Sequence, residues 1–312
     1  MTAVTPQATP LDLAPELSTA DLALVLFCLI DDLYRQVVPD TVRLRPGHHR
    51  QKLSDAEVIT LSVLQEARSN DSETSFIRQI RRDYPELFPG LLSTSRYHRR
   101  RKALVGVQQA LFAHLADEYA RVAGWLAVDS APVETTKVVR SQTGQKSIPE
   151  AAYHFGSCGR DLFFGFRLHT TVTDAGAIVE FALAPANEGE RSVAEGMLAA
   201  VPPAATGVVL GDNNYCGELL ATVAAPYGHA VETSPRKTDT DRASRLWVRS
   251  PRVIVETVFG MLADQSNAET TRARSLLGVW SRMVAKVLAF DLSLYVNALL
   301  GRPILSVKSL YA

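Results

Sequence analysis

The chain has 312 residues, 46% of them hydrophobic, and its 33 basic side chains balance 33 acidic ones, which is enough for about two folded domains with a real core. Its three cysteines, Cys28, Cys158 and Cys216, are odd in number and lack CxxC spacing; they exclude a disulfide framework or thiolate zinc site and point to a reducing compartment. The apolar stretch Leu22 to Ile30 is too short to span a membrane, and Val279 to Leu300 is interrupted by Arg282, Lys286 and Asp291.

Charge is unevenly spread. Residues 1–120 carry 14 basic and 15 acidic side chains, residues 121–234 carry 7 and 12, and residues 235–312 carry 12 and 6. An acidic middle suits a metal site, and a basic final third suits a phosphate-binding surface. No basic region precedes an apolar core at the N-terminus, so no signal peptide is read and a cytoplasmic location is expected.

In chain order, residues 1–16 read as a mobile tail rich in Thr, Pro and Ala. Leu22, Val25, Leu26, Leu29, Ile30, Leu33 and Val37 recur at helical spacing behind Ser18 or Thr19 as N-cap, and Pro39 ends that helix. Leu44 to Lys52 is a basic loop. Ser54-Asp55-Ala56-Glu57 is a capping box that opens a second helix to about Arg68. A third helix spans Thr74 to Asp83, and after Pro85, Pro89 and Gly90 a long helix runs from Ser95 to Val122. Residues 17–123 are thus expected to form an all-helical domain.

The pattern changes at Trp125. Val122 to Val133 reads as a buried strand, Phe163 to Val172 as an alternating strand, and Ala177 to Leu183 as its hairpin partner across Asp174-Ala175-Gly176. A helix over Ser192 to Ala200, a strand at Val208 to Gly211, a helix over Glu218 to Ala225 and a strand at His229 to Thr233 follow. Pro235 to Pro251 reads as a polar, basic segment before a helix from Arg252 to Ala263, and a last amphipathic helix covers Val279 to Leu300. The expected class is α/β (α+β): a five-stranded mixed sheet flanked by helices over residues 124–270, with residues 271–312 as a helical segment packing on it.

Three acids stand out against this frame. Asp129 follows the apolar run Trp125-Leu126-Ala127-Val128, Asp212 follows Val208-Val209-Leu210-Gly211, and Glu256 lies near the start of the helix from Arg252. A carboxylate directly after four apolar residues is costly to bury unless a cation or hydrogen bonds satisfy it. Three brought to one end of a sheet repel each other, and divalent metal is the usual remedy. Two ions roughly 4 Å apart clamp the attacking and leaving oxygens of a phosphodiester.

The order Asp, Asp, Glu on strand one, after strand four and on the closing helix resembles the ribonuclease-H-like layout of DDE transposases and integrases. Val128-Asp129-Ser130-Ala131-Pro132-Val133 resembles the first-Asp motif of bacterial insertion-sequence transposases, and Leu210-Gly211-Asp212-Asn213-Asn214-Tyr215 is similar to the second. Phe164-Gly165-Phe166-Arg167-Leu168-His169, Leu183-Ala184-Pro185-Ala186-Asn187 and Arg252-Val253-Ile254-Val255-Glu256-Thr257-Val258-Phe259 resemble the second strand, the end of the third and the Glu helix. The resemblance, closest to the insertion sequence 982 family, runs from Leu53 to Gly278. Asn213 and Asn214 stand where such families carry a basic residue and Gly, and Asn tolerates the left-handed conformation Gly would take. Arg249 and Ala263 stand where related families carry Tyr and Lys.

The resemblance implies a homo-oligomeric transposase, usually a dimer, that binds double-stranded DNA at terminal inverted repeats and associates with the bacterial nucleoid. Asp129, Asp212 and Glu256 would be its catalytic residues and would hold two Mg²⁺ or Mn²⁺ ions, Asp129 bridging them. Activated water would free a 3′-OH at the element end, and that hydroxyl would attack target DNA. Arg252, one helical turn before Glu256, would fix that carboxylate or hold a phosphate. A metal-dependent structure-specific nuclease and a DNA-binding derivative without catalysis are the competing readings.

The run from Arg96 to Lys102 holds five cations, Arg96, Arg99, Arg100, Arg101 and Lys102, at a helix start. Cations there oppose the helix dipole, so DNA phosphate is a better partner than solvent alone. Arg78, Arg81 and Arg82 extend that surface, Lys137, Arg140 and Lys146 lie in a loop that DNA would order, and Arg249 adds a further phosphate contact. Such contacts give affinity, not sequence choice. His169, on the same face as Arg167, is either near the active site or a core histidine. Arg167, His169 and Tyr215 are the candidates for active-site support. Trp247 is either a core anchor or a base-stacking wedge. His154 and Cys158 lack the second pair that a zinc site needs.

Overall fold

The computed structural model describes residues 17–142, 148–155, 162–215, 217–233 and 242–310, with the backbone alone over 242–251. The tail 1–16, Lys146, Cys158 and Cys216 lie outside the described residues. The chain divides into two compact units.

The first unit gathers the chain up to His114, Asp264–Asn267 and the stretch from Leu277 on. Its helices are α1 (Thr19–Val37), the short α2 (Asp40–Arg43), α3 (Asp55–Ala67), α4 (Glu73–Asp83), α5 (Thr94–Ala103) and the start of α6 (Val105–Ala120). Both capping signals act as read. Ser18 accepts the Asp21 N–H, and Ser54 exchanges backbone-to-side-chain hydrogen bonds with Glu57. The single long helix expected over Ser95 to Val122 is instead two, broken at the buried Leu104.

Every residue of α3 except Glu57 is buried, including Glu66. The Glu66 carboxylate lies 2.6 Å from Lys286 Nζ, 2.6 Å from an Arg101 nitrogen and 3.1 Å from Arg282 Nη2. Burial alone would raise its pKa; these three cations outweigh that and hold it at about 2. Arg101 also reaches Glu73, and Arg282 reaches Asp71. Arg282 and Lys286 sit on α11 (Leu276–Leu299), whose residues from Leu277 on belong to the first unit.

Among the described residues the second unit holds a six-stranded mixed sheet: β1 (Leu126–Thr136), β2 (Ala152–His154), β3 (Phe163–Thr173), β4 (Ile178–Pro185), β5 (Gly207–Gly211) and β6 (His229–Thr233). β1 and β4 pair antiparallel with β3, while β5 runs parallel to β1 and β6 parallel to β5. The sixth strand is β2, absent from the expected five. It is three residues long and continues past the end of β4 along the same edge of β3. Gly165 on β3 leaves no room for a side chain: a Cβ there would lie 2.0 Å from the Val133 carbonyl oxygen.

The flanking helices are α7 (Val138–Gln142), α8 (Glu190–Ala200), α9 (Glu218–Ala224) and α10 (Arg242–Ser266). α10 starts ten residues before the expected Arg252 and runs through Pro251, so the end of the polar, basic segment expected over Pro235 to Pro251 is helical. No helix among the described residues is long and apolar enough to cross a membrane.

Candidate active site

The parallel register between β1 and β5 pairs Leu126 with Val209 and Ala127 with Leu210. Two residues beyond the last pair on each strand come Asp129 and Asp212, so neighbouring parallel strands deliver both carboxylates to the same sheet end. Ligand sites of open α/β sheets lie at such carboxyl ends. Asp212 is anchored by its own turn: it accepts the Asn214 N–H at 2.8 Å and the Asn214 side-chain amide at 3.3 Å. Asn213 to Tyr215 is one 3₁₀ turn and neither asparagine has positive φ, so the left-handed conformation expected there is not adopted. Asp129 accepts the Ser130 N–H at 2.8 Å.

α10 supplies the third acid. Val255, Val258 and Leu262 are buried, which turns Glu256 toward the outside. Arg252 then links all three acids. Its Nη1 lies 3.9 Å from Asp129 Oδ2 and 3.9 Å from Asp212 Oδ2, and its Nη2 lies 2.8 Å from Glu256 Oε1. Nη1 is buried and has no hydrogen-bond acceptor.

One guanidinium leaves this site under-neutralised. The Asp129 carboxyl is pushed up to about 6; burial is the main cause, the Asp212 and Glu190 charges add to it, and the Ser130 N–H and Arg252 offset only part. Tyr215 is fully buried with an unpartnered hydroxyl. Its phenol is pushed well above the usual range, first by burial and then by the charges of Glu190, Asp129 and Asp212. Gly211 makes room for it, since a Cβ there would meet Tyr215 Cβ at 2.8 Å.

Glu190 is the residue that sequence reasoning missed. It opens α8 and accepts the Ser130 hydroxyl at 2.7 Å, while Arg167 lies 2.5 Å from it and donates to Ser130 Oγ at 2.9 Å. This closed trio braces the backbone beside Asp129. His169 is wholly buried with neither ring nitrogen partnered; burial, then the Arg167 charge, lowers its pKa to about 4. It is therefore neutral at pH 7 and opposite Ser130 in the strand register. Beside the trio opens a cleft of about 980 Å³, lined by Tyr153, Arg167, Glu190, Arg191 and Asn214 among others.

The donor set fits a divalent metal. All three side chains offer hard carboxylate oxygens, and Asp129 bears a charge its surroundings only partly compensate. With Arg252 among them, no three His, Cys, Asp or Glu side chains of the described residues close into a metal cage.

The cations behave unequally. Arg78, Arg81, Arg82, Arg96 and Arg99 are exposed, with Arg82 paired to Asp83. Arg101 corrects the reading of the run as one solvent-facing surface: it is 1% exposed and bound to Glu66 and Glu73. Arg100 is held by Asp55 at 2.5 Å, by Gln51 and by the Leu53 carbonyl, and Lys102 is half-buried. Lys137 and Arg140 are exposed, Lys137 pairing with Glu134. The side chains of Arg249 and Trp247 lie outside the described residues.

A family model described as the transposase DDE domain matches residues 119–276, a stretch containing Asp129, Asp212 and Glu256. The chain belongs to the DDE transposases. Neither the curated proteins nor the solved structures contain a match. Transposases generally bind DNA, and those of the DDE kind generally use divalent metals. In this transposase the matched stretch takes in β1 through β6 and all of α10.

Proposed function

We propose that this chain is a transposase that binds the terminal inverted repeats of its element, cleaves at their ends and joins the freed 3′-OH to target DNA. The observation that carries the reading is the meeting of Asp129, Asp212 and Glu256 at one guanidinium. The strand order β4-β3-β1-β5-β6 supports a ribonuclease-H-like catalytic unit, and the local motifs support kinship with the insertion sequence 982 family.

In the first step a water oxygen attacks the phosphorus at the element end and the bond to the 3′ oxygen breaks. The 3′ oxygen leaves as a hydroxyl, taking up one proton as the attacking water gives one up, and the phosphate stays on the flanking strand. In the second, the 3′ oxygen attacks a target phosphorus and the target's own 3′ oxygen departs as a hydroxyl. Asp129, Asp212 and Glu256 would hold two Mg²⁺ or Mn²⁺ ions, which supply positive charge to the phosphoryl oxygens in each displacement. Asp129 is braced through Ser130 by Glu190 and Arg167, which would limit the reorganisation its carboxylate needs. Tyr215 presents a neutral hydroxyl beside the carboxylates. The exposed arginines of α4 and α5 supply sequence-independent phosphate contacts. A homodimer would pair two ends.

The test is a pre-cut duplex end bearing a 3′-OH, incubated with supercoiled plasmid and Mn²⁺. Joined product is expected. Nicking without joining would favour the structure-specific nuclease, and end binding without either would favour a derivative that has lost catalysis.

A further inference from the structure

Resting on the reading of Asp129, Asp212 and Glu256 as metal-binding carboxylates, we propose that Arg252 is an internal counter-ion standing in for the metal. It must vacate the centre of the site before metal and DNA can occupy it.

The geometry argues for a stand-in rather than a fixed strut. Among the described residues Arg252 makes one hydrogen bond, to Glu256 one helical turn away on its own helix. Its contacts with Asp129 and Asp212 are both 3.9 Å, beyond hydrogen-bonding length, so they are Coulombic attractions without directional bonds. Nη1 has lost its water and found no acceptor. An arginine placed to brace these acids would point hydrogen bonds at them, as Arg167 does at Ser130 and Glu190. One positive charge against three carboxylates leaves the centre short of charge that a divalent ion can supply.

Arg252 also has somewhere to go. A guanidinium is weakly hydrated and forks readily onto phosphate oxygens. Its side chain rises from α10 at the rim of the site and retains 18% exposure. A backbone phosphate of the DNA end would offer the bidentate acceptor that Asp129 and Asp212 do not. DNA that captures Arg252 would raise metal affinity, and by reciprocity metal that displaces it would raise affinity for the end. The carboxylate centre is then loaded chiefly when a substrate phosphate is present.

The experiment measures Mn²⁺ binding to the full chain without DNA, by the loss of the free-ion electron paramagnetic resonance signal. Arg252→Met and Arg252→Gln are expected to bind Mn²⁺ at least tenfold more tightly than wild type. Arg191→Met, which removes an equal charge from the rim of the neighbouring cleft, is expected to shift binding less than threefold. Arg252 variants that bind no better than wild type, or an Arg191 variant that gains as much, overturn the proposal. Tight binding that survives Asp129→Asn in the Arg252→Met background instead overturns the carboxylate reading beneath it.

Discussion

Ser130 donates its hydroxyl to Glu190 at 2.7 Å, tying the residue after the first aspartate to the first turn of α8. Arg167 closes the trio from β3. Glu190 thus acts on Asp129 without occupying the site's centre. Glu190→Ala is expected to weaken Mn²⁺ binding or lower end cleavage roughly 10- to 100-fold, the usual effect of losing an outer-shell partner. Glu190→Gln, which still accepts from Ser130, should recover part of that loss. Cleavage rates measured against Mn²⁺ concentration, with thermal melts as a folding control, check this.

Glu66 is the centre of the first unit's charge cluster. Removing it leaves Lys286, almost sealed from solvent, without its carboxylate, and leaves Arg101 and Arg282 with only Glu73 and Asp71. Glu66→Ala is expected to cost roughly 3–5 kcal/mol, because unpaired buried charge is the expensive outcome. Urea denaturation reads it directly; an unchanged midpoint would mean that water already reaches the cluster.

The second unit has its own steric test. Gly165→Ala places a methyl 2.0 Å from the Val133 carbonyl oxygen, and backbone cannot rotate away as a side chain can. A loss of about 3 kcal/mol is expected, at the upper end of overpacking costs. Gly196→Ala, on α8 with no atom within 4 Å of the new Cβ, should be neutral or slightly stabilising by comparison.

Glu180 on β4 gives a pH signature. Burial pushes its carboxyl up to about 7 from 4.5, with the Phe181 N–H offsetting only part. A raised folded pKa means that the protonated form fits the fold better. The associated stability is therefore complete below about pH 4.5 and is lost as pH rises through 7. Glu180→Gln should thus be more stable than wild type at pH 8, by up to about 3 kcal/mol, and gain nothing at pH 4. Denaturation of both proteins across that range decides it.

Local signals carried much of this structure and long-range ones did not. Ser54 and Glu57 are readable because a capping box is contained in four residues. Asp129 and Asp212 are readable because four apolar residues precede each. Glu190 carries no such local mark, since only the folding of α8 against β3 brings it to Ser130. Arg101 sits among other cations in sequence, and nothing local says that a buried glutamate on another helix will turn it inward. β2 escaped notice because three residues hold no periodicity; its place is set by backbone pairing with β3.

The most direct measurement is the Mn²⁺ isotherm of the protein bound to a DNA end, for wild type, Asp129→Asn, Asp212→Asn and Glu256→Gln side by side. Two ions per chain are expected for wild type, with each carboxamide losing at least one. Undiminished ion binding in Asp129→Asn or Glu256→Gln would contradict the claim that these three carboxylates form one metal centre.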